Sequence, residues 1–309
     1  MIDSELRPEW GKRRAAEIAR RDVLALIEEK AKTAPIRANR LLALLKKLFT
    51  WAVNLDLLTV SPAADVKPPA KERSRDRILN DAELVAFWQA TEAMGGVWGA
   101  YFQTLALTLQ RKEEVAGMAR PELHLSEGAA LWTLSASRVK AGRVHDVPLV
   151  PAVVEIIEGV PEIVVDAKTE TTSPRVFTMS GRPLSAFSAA KRRLDALMLV
   201  ELRKAARERG ENPDQVELAP WRLHDLRRTG ASNLARMGFP PHLLAAVLNH
   251  SPGGTQGITA VYNRYRYGDE KRAALAAWAR HVLGLVEQRP ANVVALSDCV
   301  VGQGVCHGR

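Results

Sequence analysis

At 309 residues, with 47% hydrophobic and 26% charged side chains, the chain has the composition of a globular protein with room for two cores, which excludes the disordered and fibrous classes. A formal net charge of +9 favours a polyanionic partner, because Lys and Arg that neutralise phosphates release counterions and bind nucleic acid without reading its sequence. Two cysteines, Cys299 and Cys306, beside the single His307 are too few for a four-ligand zinc site and fit a reducing cytoplasm; no apolar run nears the roughly 20 residues that span a bilayer, and the N-terminus lacks the apolar core of a signal peptide, so a soluble chain with no membrane partner is expected.

The first 80 residues hold 17 Lys and Arg against 11 Asp and Glu, two thirds of the net excess, and so form a basic N-terminal lobe. Within it, residues 14–31 and 37–55 read as helices, the second with Leu41, Leu45, Leu48, Ala52 and Leu55 on one apolar stripe. Residues 61–77, SPAADVKPPAKERSRDR, combine basic side chains with three prolines and read as an interdomain linker. The expected organisation is a partial helical domain over 1–70, a linker over 71–79 and a second domain over 80–288.

That second domain opens on Asn80, an N-cap with Glu83 three positions on as in a capping box, leading into AELVAFWQA. Residues 97–119 read as one helix. The segments 130–136 and 143–149 read as strands flanking a turn around Lys140, Ala141 and Gly142. Helix follows over 184–210 and again through WRLHDLRRTGASNLARMG, where Gly238 supplies a left-handed C-cap; Pro240 and Pro241 start PHLLAAVLNH. A final helix over 270–287 puts Leu275, Trp278, Val282 and Leu285 on one face, and the tail from 289 to 309 is expected to be disordered. The fold class is mainly α with a small antiparallel β-sheet.

Four local patterns carry chemistry: LTLQRKEEV with Arg111, SRVKAGRVHDVPL with Lys140, HDLRRT with His224 and Arg227, and LNHSPGG with His250 followed by AVYNRY with Tyr262. In this order the set Arg, Lys, His-x-x-Arg, His, Tyr resembles the active site of the tyrosine recombinases and phage integrases. The likeness covers about residues 80–288 as a catalytic domain, and residues 8–70 as part of a SAM-like core-binding helical domain. LNHS and YNRY are similar to the P4-like integrases carried by genomic islands.

The resemblance implies breakage and rejoining of double-stranded DNA through a 3′-phosphotyrosine, for integration or excision of a mobile element. Arg111 and Arg227 would hold the non-bridging oxygens of the scissile phosphate, where charge builds in a pentacovalent transition state. His224, one turn before Arg227 on the same helical face, would accept the tyrosine proton, and Lys140 would protonate the departing 5′ oxygen. Tyr262 would be the nucleophile, conserving the bond energy so that resealing needs neither ATP nor a metal cofactor. His250, at the end of its helix, donates to the phosphate, positions the nucleophile or serves as a C-cap. Glu114, three residues after Arg111 in what reads as a continuous apolar helix, either orients a guanidinium or is a solvated glutamate. His145 has no matching role and reads as a strand-surface residue.

Alternatives remain at several positions. Tyr265 and Tyr267 compete with Tyr262, and Arg138 and Arg143 with Lys140. The apolar face of the last helix could dock on a neighbouring protomer of a homotetramer on DNA or fold back onto its own core; a host DNA-bending protein is a further partner of this type of enzyme. The chain begins at what resembles the middle of the core-binding bundle, so at least one helix of the DNA clamp and an arm-binding domain are expected to be missing. A DNA-binding remnant and a type IB topoisomerase-like relaxing enzyme are therefore the rival readings.

Overall fold

The computed structural model describes residues 1–72, 76–126, 128–139, 142–166, 168–250 and 265–287. The chain forms two compact units, residues 1–75 and 76–309.

In the first unit a π-helical turn, Ile2–Leu6, runs into α1 (Arg7–Trp10), followed by α2 (Arg20–Thr33) and α3 (Pro35–Asn54). Helix α2 starts later than periodicity suggested because Ile18 and Ala19 are extended and the Asp22 carboxylate accepts the Ala19 N–H at 2.8 Å, capping the helix there. Helix α3 begins on Pro35, whose missing N–H costs nothing at that position. The buried face of α3 is Ala38, Leu41, Leu42, Leu45, Phe49 and Ala52, whereas Leu48 and Leu55 are exposed. At 100° per residue Phe49 continues the line of Leu45 and Leu48 does not, so the expected stripe was right at Leu41, Leu45 and Ala52 only. Ala63 and Val66 complete this core, and Asn39 grips the backbone of Ala70 on both its N–H and its carbonyl.

The second unit opens with α4 (Asp81–Met94), capped as the sequence suggests: Asn80 Oδ1 accepts the Glu83 N–H and Glu83 Oε2 accepts the Asn80 N–H, both at 2.9 Å. The expected helix over 97–119 is in fact two. Helix α5 (Gly96–Thr108) stops at Leu109, which sits at φ +56°, and α6 (Lys112–Ala116) begins only after Arg111. Strands β1 (Leu123–His124), β2 (Leu131–Leu134) and β3 (His145–Pro148) form an antiparallel sheet in that order, with Trp132 opposite Val147 and Leu134 opposite His145. Helix α7 (Pro151–Glu158) and a small hairpin of β4 (Val164–Asp166) and β5 (Thr171–Thr172) were not foreseen.

Helices α8 (Phe187–Glu208), α9 (Leu223–Arg236), α10 (Pro241–Val247) and α11 (Gly268–Val286) follow among the described residues, and Gly238 takes φ +90° after α9. The core gathers Phe87, Tyr101, Phe102, Trp132 and Trp278. Leu275, Trp278 and Val282 of α11 are buried in that same core, and Trp278 Nε1 donates to the Ala106 carbonyl at 2.8 Å. The apolar face of α11 thus folds back onto its own unit, each large side chain contributing roughly 2 kcal/mol by burial. The tail expected to be disordered lies outside the described residues.

Candidate active site

Two helix ends make the pocket. Where α5 stops, Leu109 is fully buried in a left-handed conformation that costs a β-carbon-bearing residue about 1–2 kcal/mol. This turn sends Gln110 and Arg111 away from the helix axis, so Arg111 is the N-cap of α6 and not, as expected, a charge inside an apolar helix. Glu114, at the third position of α6, accepts the Arg111 backbone N–H at 3.0 Å and its Nη1 at 2.9 Å. Glu114 is buried, which decides the open alternative: it is not a solvated glutamate but the group that orients the guanidinium.

The second end is that of α10. Asn249 takes φ +44°, the His250 N–H donates to the Ala245 carbonyl at 2.9 Å and the Asn249 N–H to Ala246, which is a Schellman closure. His250 therefore lies just beyond the helix with an exposed side chain, and its backbone, not its imidazole, does the capping. The carbonyls released at both ends are taken up by the two arginines. Arg111 Nη2 donates to the Asn249 carbonyl at 3.2 Å, Arg227 Nη1 to Leu109 at 2.5 Å, and Arg227 Nη2 to Leu248.

His224 and Arg227 come from the first two turns of α9, which starts after extended Arg222 with Asp225 accepting the Arg222 N–H at 2.8 Å. Arg227 is 3% exposed. Burial and the neighbouring Arg111 charge lower its pKa to about 10, so it stays charged at neutral pH but repelled by its neighbour. Its Nε is buried with no hydrogen-bond partner among the described residues. The pKa of His224 is lowered by partial burial, then by Arg227, Arg228 and Arg111, and that of His250 by partial burial, then by Arg227, Arg111 and His224. Each imidazole thus feels both guanidiniums, and the hydrogen bonds of Arg111 to Asn249 and of Arg227 to Leu248 hold the two arginines at the chain next to His250. An anion between them would relieve the repulsion and use the donors the arginines have left.

Two clefts meet at His224. One of about 410 Å³ is bounded by Arg111, Lys112, Glu114, Arg138 and His224; the other, about 620 Å³, by Lys112, Lys191, Trp221, Arg222, His224 and Arg227. Lys112 lies 4.4 Å over the Phe187 ring and Lys191 3.7 Å over Trp221, so aromatic faces hold ammonium groups beside the cleft.

Lys140 and Tyr262 lie outside the described residues. Of their competitors, Arg138 is committed to the Gly117 and Glu114 carbonyls and to Glu122 at 2.8 Å, a structural role. Tyr265 donates to Glu270 at 3.1 Å, and Tyr267 precedes α11. His145 is not on the surface: it is 5% exposed on β3, its Nε2 3.2 Å from Gln110 Oε1, and burial followed by the charge of Lys271 lowers its pKa to about 3. Sequence reasoning missed Gln110 and Lys271 altogether. The one signal for Gln110 was its place at the end of the apolar run ALTLQ.

Comparison with known proteins agrees with this architecture. The phage integrase family matches residues 77–267, and the phage integrase central domain matches residues 1–68. The chain belongs to the phage integrase family of tyrosine recombinases. It is 30% identical over 282 residues to prophage integrase IntZ of Escherichia coli (strain K12), covering 90% of this chain and 63% of that protein, and 22% identical to prophage integrase IntA of the same organism, covering 83% and 57%. The chain thus spans about three fifths of the length of these curated relatives. Among solved structures, a lambda integrase fragment crystallised as a dimer bound to a COC′ core site matches with a TM-score of 0.55 at 16% identity, over 84% of this chain and 87% of that one. The Tn1549 transposon integrase in complex with circular intermediate DNA gives 0.50 at 16% identity, over 83% and 84%. At that identity the likeness is one of fold: mostly helical with small antiparallel sheets.

Proposed function

We propose that this chain is a site-specific DNA recombinase that cuts and rejoins duplex DNA through Tyr262, serving integration or excision of a mobile element. The observation that carries the reading is the convergence of two guanidiniums on the end of α10, Arg111 on the Asn249 carbonyl and Arg227 on the Leu248 carbonyl, next to His250 and beside the clefts that His224 lines. In this reading Arg111 and Arg227 bind the non-bridging oxygens of one phosphate, with Glu114 holding Arg111 in place. Their remaining donors are worth most when charge builds on those oxygens.

The Tyr262 oxygen attacks phosphorus, its proton passes to His224, and the P–O5′ bond breaks as Lys140 protonates the leaving oxygen. His250 donates to the phosphate. The product is a 3′-phosphotyrosine and a free 5′-hydroxyl, and a 5′-hydroxyl from a second strand reverses the steps. His224 is suited to accept the proton because partial burial, then the Arg227 charge, lower its pKa and leave the imidazole neutral at neutral pH. The protein would act as a homotetramer on two duplexes, residues 1–70 would add to the DNA grip as a core-binding domain, and a host DNA-bending protein would assist; tetramer assembly on a Holliday junction is recorded for lambda integrase.

Incubation with nicked suicide duplexes that trap the covalent stage tests the reading. The expected adduct maps to the peptide carrying Tyr262, and Tyr262→Phe abolishes it while leaving DNA affinity within about twofold. An adduct on Tyr265 or Tyr267 would move the nucleophile. Binding without any adduct would leave a DNA-binding remnant.

A further inference from the structure

Beneath the pocket runs a set of buried polar groups for which the chemistry above has no use. Gln110 is 2% exposed; its Nε2 donates to the Thr108 carbonyl at 2.7 Å and to the Val247 carbonyl at 3.1 Å, so it ties the end of α5 to the end of α10. With its amide nitrogen spent on two carbonyls, its Oε1 is an acceptor, and the His145 Nε2 at 3.2 Å must be the donor, which fixes the tautomer of a neutral imidazole. The next residue of β3, Asp146, faces the other way in function. Its carbonyl accepts Lys271 Nζ, and its carboxylate accepts Arg266 Nη1 at 3.1 Å and the Thr133 hydroxyl at 3.1 Å. Lys271 is 4% exposed, in the first turn of α11, and its neighbour Arg272 donates to the Ala130 carbonyl at 3.2 Å.

Strand β3 is therefore held on one side by the residue adjoining Arg111, and on the other by the chain that follows Tyr262. Arg266 is four residues beyond Tyr262, and four residues of chain span at most about 14 Å. Arg266 and Lys271 thus anchor to β3 the chain that covalent length ties most closely to Tyr262, while Gln110 and His145 set where β3 lies relative to the arginines. We propose that Gln110, His145 and Lys271 are positioning residues, which grip β3 from both sides and so set the chain entering α11, the next described stretch after Tyr262, against the turn that carries Arg111. This inference rests on the recombinase reading. It concerns the rate of attack and not the hold on DNA, since a misplacement of about 1 Å between reacting groups costs up to about 100-fold in rate.

The test is single-turnover adduct formation on a nicked suicide duplex at saturating protein, alongside DNA affinity measured by fluorescence anisotropy. His145→Phe keeps the bulk and removes the donor; Lys271→Met keeps the stem and removes the ammonium. Each is expected to slow adduct formation about 10- to 100-fold with affinity unchanged within about twofold. His145→Gln, which can restore a donor near the Nε2 position, is expected to recover the rate to within about threefold of the parent. Arg266→Ala, at an exposed side chain, should slow the reaction by a smaller factor and guards against misfolding of the buried variants. If Arg266→Ala and whichever buried variants fold cleave at the parental rate, or if rate and affinity fall in step, the positioning role is wrong although the recombinase reading stands. A parental chain that forms no adduct overturns both.

Discussion

Arg227 serves two structures at once: it closes the carbonyls of Leu109 and Leu248, one from each helix end, and its remaining N–H groups belong to the pocket. A lysine has the charge but neither the fork nor the reach to both carbonyls. Arg227→Lys is expected to slow single-turnover cleavage by about 100-fold or more, with a smaller change in DNA affinity. His145 gives a prediction of its own. Folded, it resists protonation down to about pH 3, whereas the unfolded imidazole takes a proton near pH 6.5. The unfolded chain therefore binds more protons in that window and acid favours it. Urea unfolding at pH 5 should give a stability about 2 kcal/mol below that at pH 7 from this residue alone, and His145→Gln should remove the difference. Arg111, His224, Arg227 and His250 were legible in the sequence because charged and titratable side chains at set spacings have few bland explanations in combination. Gln110 and His145 were not, since a polar residue next to a strand or helix end reads as solvated until the partner that buries it is seen.

The break between α5 and α6 is the feature on which the pocket geometry depends, and it was hidden because residues 105–116 contain neither glycine nor proline. Nothing in LTLQRKEE marks a stop; a leucine rarely takes positive φ, and here tertiary packing imposes it. The reason lies on α9, where Gly230 leaves room for the Leu109 side chain: a methyl at 230 would meet Leu109 Cδ1 at 2.7 Å. Gly230→Ala is thus expected to destabilise the protein by about 1–3 kcal/mol in thermal unfolding, and to slow cleavage by displacing the carbonyl that holds Arg227. By contrast α4, α9 and α11 carried capping or periodic signals strong enough to be seen in advance, and β4 and β5 are too short to leave one.

For the whole molecule, the excess positive charge should show as a salt-sensitive grip on DNA. Affinity is expected to fall at least tenfold between about 50 and 200 mM salt, linearly on a log–log plot, and equally for Tyr262→Phe, as checked by anisotropy titrations. Among the described residues, the division into two cores with no side chain in common, one from Leu6 to Val66 and the other from Leu79 to Val282, has a further consequence. Each half carries its own means of staying folded. Homologous halves could be exchanged near residue 75 by genetic shuffling without rebuilding either interior, so the lineage of the amino-terminal portion need not be that of the portion bearing the arginines.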